Sequence, residues 1–126
     1  MTDFFLFIKT TIDDIATTKN TGLKYEMLTK LKDELNTYRT KFELFDALEH
    51  DEEDARIISK WMINCAKLLL HTDWSPYYIG NQESIYLVEK YIDFSRKFAF
   101  ISMPINKAYR VFRPEVIDKW AEEGWV

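Results

Sequence analysis

At 126 residues the chain is long enough for one hydrophobic core and short for two, and its 47% hydrophobic and 16% aromatic content lies well above the range in which chains stay disordered. Three glycines and three prolines are too few for the turns of a many-stranded sandwich or barrel, so composition favours a single all-α domain spanning residues 1–126. A formal charge of −4 speaks against a protein that lives on a nucleic-acid backbone, because that binding is carried by Lys and Arg neutralising phosphates.

Phe5, Ile8, Ile12 and Ile15 fall at helical steps and predict a first helix over 3–17. Phe4 and Phe7 lie off that stripe and either widen it, the favoured reading, or leave an apolar patch exposed. Thr18 to Gly22 reads as a short connection, with Thr21 as N-cap of the next helix.

Leu28, Leu31, Leu35, Tyr38, Phe42 and Phe45 alternate steps of three and four, a straight a/d seam that predicts one helix over 22–48. At 1.5 Å per residue it would be ~39 Å long. The seam could face its own bundle or a second copy in a homodimer. A third helix is expected over 51–71, capped by Asp51 and expected to be the most buried, with Ala55, Ile58, Trp61, Met62, Cys65, Leu68 and Leu69 on its apolar face.

Ser75-Pro76 and Gly80-Asn81 bound an aromatic loop in which Pro76 suits a short helical turn. A fourth helix follows over 82–102, with Leu87, Tyr91, Phe94, Phe98 and Ile101 on one stripe. Pro104 ends it. The remainder reads as one or two short helices, the last terminated by Gly124, although 98–103 and 109–112 also suit strands. The expected architecture is therefore an all-α antiparallel bundle of four main helices with a short helical tail.

Catalytic chemistry finds little support. Dispersed glycines exclude a P-loop and a dinucleotide fingerprint, which need clustered Gly to bring backbone N–H groups against phosphate. His50 and His71 are the only histidines, and no Glu-x-x-His pair exists for a di-iron bundle. Asp46 and His50, with Glu49 nearby, read as a solvated helix end rather than a metal site. Cys65 lies on an apolar face, where a thiol behaves as a small hydrophobe. No cofactor, metal or catalytic residue is expected.

The charge is unevenly laid out. Residues 1–84 hold 10 basic and 15 acidic side chains, residues 85–113 hold 6 and 2, and residues 114–126 hold 1 and 4. Glu43, Asp46, Glu49, Asp51, Glu52, Glu53 and Asp54 form an acidic run with no Lys or Arg among them. Acids at 51–54 suit a helix N-terminus, whereas those at 43, 46 and 49 would oppose the dipole at the end of a helix over 22–48. An arrangement that opposes local stability is what a surface kept for binding can show, and a merely solvated, solubilising tip is the equal alternative. Lys90, Arg96, Lys97, Lys107, Arg110 and Arg113, interleaved with aromatics, form the opposite patch.

The expected function is that of a small cytoplasmic, non-enzymatic interaction protein of inhibitor type. Its acidic tip would engage a basic macromolecular partner, for example a nuclease or nucleic-acid-handling complex, in the style of a phage-encoded inhibitor or an immunity protein. The alternative is a nucleic-acid-binding accessory domain using residues 90–113. An enzyme of unknown type is the lesser alternative. The cytoplasmic setting rests on the unpaired Cys65 and the lack of a leader pattern. The longest apolar run, Phe4 to Ile8, is far short of the ~20 residues of a membrane span, so no membrane association is expected.

Overall fold

The computed structural model describes residues 2–126, and these are all-α: seven helices and a short 3-10 turn, with no strand among the described residues. The helices are α1 (Asp3–Thr17), α2 (Thr21–Leu35), α3 (Lys41–Ala47), α4 (Glu52–Leu70), α5 (Asn81–Ile101), α6 (Ile105–Val111) and α7 (Pro114–Glu122). No helix of the described residues is long and apolar enough to cross a membrane.

α4 and α5 pack along each other most extensively, and α1 and α2 cover them. Small side chains let the central pair approach closely. Ser59 Oγ donates to the Ser95 carbonyl at 2.7 Å and Ser95 Oγ donates to the Ser59 carbonyl at 2.9 Å, so each hydroxyl satisfies the other helix's backbone. α2 is fixed to α5 by the buried Tyr91 hydroxyl, which donates to the Leu28 carbonyl at 2.5 Å. Burial raises the Tyr91 pKa far above the ordinary phenol range, so the hydroxyl remains a donor.

The helix expected over 22–48 is two helices, and the interruption at 36–40 has identifiable causes. α2 tightens at its end, where Thr37 N–H bonds Glu34 O and Tyr38 N–H bonds Leu35 O. Thr40 then caps α3 by accepting from Glu43 N–H at 3.1 Å, while the Glu43 carboxylate accepts from Arg39 N–H at 2.6 Å, a variant of the capping box. Lys41 N–H, which would bond Thr37 O in a continuous helix, instead donates to Trp125 O at 2.8 Å.

The break changes which residues are inside. Leu28, Leu31 and Leu35 are buried as the seam requires, but Phe42 is 67% exposed, and Leu44 and Leu48 are buried in its place. The first half of the seam is thus occupied by the chain's own core. Asn20, not Thr21, caps α2, accepting from Leu23 N–H at 3.0 Å. Asp51 caps α4 as expected, accepting from Asp54 N–H at 3.0 Å.

α5, rather than α4, carries the larger share of buried residues, because its Phe100 face is covered by the C-terminal helices. Phe100 packs edge-on against Tyr109, Trp120 and Trp125, and Phe112 lies between Phe100 and Trp120. The residues at 98–103 and 109–112 are therefore helical or helix-terminal, not strands. Phe4 joins the core against Tyr38 and Phe98, whereas Phe7 is 43% exposed and does not widen the buried stripe.

Candidate functional site

The acidic run extends from α3 across the turn that joins it to α4 and into the first turn of α4. The turn is a Schellman motif: His50 N–H bonds Phe45 O and Glu49 N–H bonds Asp46 O, both at 2.9 Å. This geometry sends Glu49 to φ 51° and His50 to φ 59°, left-handed backbone that favours glycine. The His50 ring partly offsets that cost by stacking on Phe45, with centroids 4.6 Å apart, and by meeting the Asp46 carboxylate at 2.5 Å.

The break after α2 alters the electrostatic argument for the tip. Glu43 lies in the first turn of α3, where a carboxylate is favourable, not at the disfavoured end of a long helix. Asp46 remains in a last helical turn, and Glu49 lies beyond the helix on left-handed backbone. The local cost is therefore concentrated at Asp46, Glu49 and His50.

Glu43, Asp46, Glu49, Asp51, Glu52 and Glu53 are exposed and Asp54 is half-buried. Several have local partners: Glu53 binds Arg56 through a 2.9 Å bond from Nε and a second from Nη2, which lowers the Glu53 pKa. Asp54 shifts the other way, raised by burial and then by the neighbouring Asp51 and Glu53 carboxylates. Glu49 and Glu52 make no side-chain hydrogen bond or ion pair among the described residues.

Beside the tip lies a cleft of about 270 Å³, bounded by α3 and the α5–α6 junction. Phe42, Phe45, Phe100, Met103 and Ile105 supply most of its apolar wall, and Lys41 and Glu52 are its two charged lining residues. Phe42 and Ile105, 67% and 57% exposed, present much of their area to solvent. Sequence periodicity missed this cleft because it assigned Phe42 to the core and left Ile105 in an uncertain tail.

The basic residues of 90–113 differ in their surroundings. Lys97 is held by Asp93 at 3.0 Å and by Glu123 at 3.7 Å, and lies over the Trp125 ring. Lys90 lies over Tyr86, and Arg96 and Arg113 share a shallow depression with Glu115. Lys107 and Arg110 are exposed on α6. Among the interleaved aromatics Tyr91, Phe94 and Phe98 are buried and Phe112 packs inward, so Tyr109, 44% exposed, is the ring most open to stacking.

Cys65 is buried, and burial pushes its thiol up to about 12, a core cysteine as expected. Among the described residues no group of three or more His, Cys, Asp or Glu side chains is arranged to hold a metal ion. No protein-family model, curated protein or solved structure matches the chain.

Proposed function

We propose that the chain is a protein-binding module, and that the apolar cleft together with the acidic α3–α4 turn receives a basic, amphipathic surface of a macromolecular partner. The observation that carries this reading is that Glu52 belongs both to the acidic run and to the wall of a cleft lined by exposed Phe42 and Ile105. An apolar centre with a charged rim is the usual anatomy of a protein interface. Aromatic anchors entering such clefts supply much of the affinity, while the acidic run beyond the cleft, whose own charged lining is Lys41 and Glu52, speeds encounter with partners of opposite sign.

The tip's backbone supports the same reading. Non-glycine residues in left-handed conformation at an exposed turn hold carboxylates in place at a cost in stability. A basic nuclease or another nucleic-acid-handling protein has the surface chemistry this site fits. No group in this reading is asked to perform covalent chemistry.

The test is affinity capture from the native host with three baits: wild type, the charge reversal Glu49→Lys/Glu52→Lys/Glu53→Lys, and Phe42→Asp. The expected result is a basic protein retained by wild type, released by rising salt and lost from both variants. Unchanged capture by the charge reversal would reduce the tip to solvated surface. Binding of oligonucleotide by the purified protein, with steep salt dependence, would instead favour the basic residues of 90–113.

A further inference from the structure

A second concavity, of about 210 Å³, lies where the 36–40 elbow meets α5 and the C-terminal tail. Its lining is opposite in character to that of the apolar cleft. Arg39, Lys90 and Lys97 border it, with Glu123 as the one carboxylate among its lining residues, although the chain as a whole is acidic. Arg39 and Lys90 join no ion pair among the described residues. Lys97 is more deeply placed, its side chain 14% exposed. Tyr38, half-buried, is the aromatic ring of the lining that reaches solvent, while Phe98 and Trp125, the latter with its ring 5.4 Å from the Lys97 ammonium, are almost wholly buried.

We infer that this pocket binds a small organic anion that carries a flat apolar ring. Its anionic group meets Arg39 and Lys90, with Lys97 already paired nearby, and its ring lies against Tyr38. Charge-assisted bonds to guanidinium and ammonium groups are the stronger hydrogen bonds available to such a ligand, and partial enclosure reduces their screening by water. The volume corresponds to roughly seven waters at ~30 Å³ each, enough for one ring and its charged group but below the range of drug-sized sites. Asp93, at 3.0 Å, and Glu123, at 3.7 Å, hold Lys97, and Glu123, the carboxylate in the lining, opposes the ligand by repelling the anion. The inference is independent of the acidic tip, because the pocket shares no residue with it.

Phenyl phosphate is a suitable probe, titrated into the nitrogen-15-labelled protein while the four tryptophan indole N–H signals are followed. The Trp125 signal is expected to move saturably, with Trp61 and Trp74, which do not line the pocket, unmoved. Inorganic phosphate should bind more weakly, lacking the ring, and benzyl alcohol should not bind, lacking the charge. Arg39→Gln/Lys90→Gln should weaken phenyl phosphate by about tenfold or more, as loss of charged hydrogen bonds predicts. Glu123→Gln should tighten it.

Both variants alter exposed or half-exposed side chains, and a dispersed amide spectrum confirms that each is folded. Three results would overturn the inference: a Trp125 signal that stays still or moves no more than the other three; an unchanged affinity in the folded double variant together with weaker binding in Glu123→Gln; or displacement of phenyl phosphate by a short single-stranded oligonucleotide at lower concentration, which would make the pocket part of a nucleic-acid track.

Discussion

The backbone carbonyl of Trp125 accepts the N–H of Lys41 at 2.8 Å, joining the last turn of the chain to the first residue of α3. The bond replaces the intrahelical partner that Lys41 would have in an unbroken helix, and so holds the elbow open beside the buried Trp125 ring. Trp125→Ala is expected to destabilise the fold by about 3–5 kcal/mol, the range for removing a large buried aromatic. Urea unfolding measures it. Hydrogen exchange at Lys41 should accelerate in the variant more than at core amides of α4, and equal acceleration would show that the tail does not hold the elbow specifically.

The α3–α4 turn and the end of α7 are the same motif with different residues at the left-handed position. Gly124, at φ 79°, ends α7 with Trp125 N–H bonded to Trp120 O, whereas Glu49 occupies the equivalent place after α3. Glu49→Gly should therefore stabilise by up to about 1 kcal/mol and Gly124→Ala should destabilise by about the same amount. Paired denaturation curves check both signs. A destabilised Glu49→Gly would mean that the carboxylate makes a favourable contribution larger than its backbone cost.

Cys65 should resist alkylation while the protein is folded. Burial raises its thiol to about 12, so at pH 8 both thiolate and access are lacking. Iodoacetamide should modify it within minutes in denaturing urea and only through rare opening in native buffer. Rapid labelling of the folded protein, followed by mass spectrometry, would contradict the buried placement.

Asp54 gives the tip a pH dependence of defined sign. Its folded pKa is raised, chiefly by burial and then by Asp51 and Glu53, so the folded state holds the proton more tightly than the unfolded state. Its contribution to stability is present below the ordinary aspartate pKa of ~3.9 and is lost as pH rises through the folded value. Asp54→Asn should gain stability relative to wild type as pH rises across that window. Thermal unfolding of the two proteins from acid to neutral pH tests the difference, which should have the opposite sign if the shift runs downward.

The helix content was legible because local signals agree with it: the α1 stripe, the Asp51 cap and the α5 stripe all recur in the fold. Cys65 was also legible, since its neighbours on α4 define the buried face. The acidic run was visible as composition, but its geometry was not. The Schellman turn carries Glu49 and His50 where glycine would have announced it, and the apolar cleft depends on Ile105 from a distant part of the chain.

The sequence by itself determined an all-α chain, the ends of most helices and the uneven distribution of charge, because periodicity, caps and dipoles act within a few residues. The division of residues 22–48 into two helices combines a local Thr40–Glu43 capping pattern, which the apolar seam masks, with a tertiary contact. The a/d seam continues unbroken through 36–40, and the groups that make the elbow favourable include a carbonyl more than eighty residues away. Beside the elbow Phe42 is exposed next to the acidic run and Arg39 borders the same concavity as Lys90 and Lys97, so both candidate sites include residues brought together from distant parts of the chain.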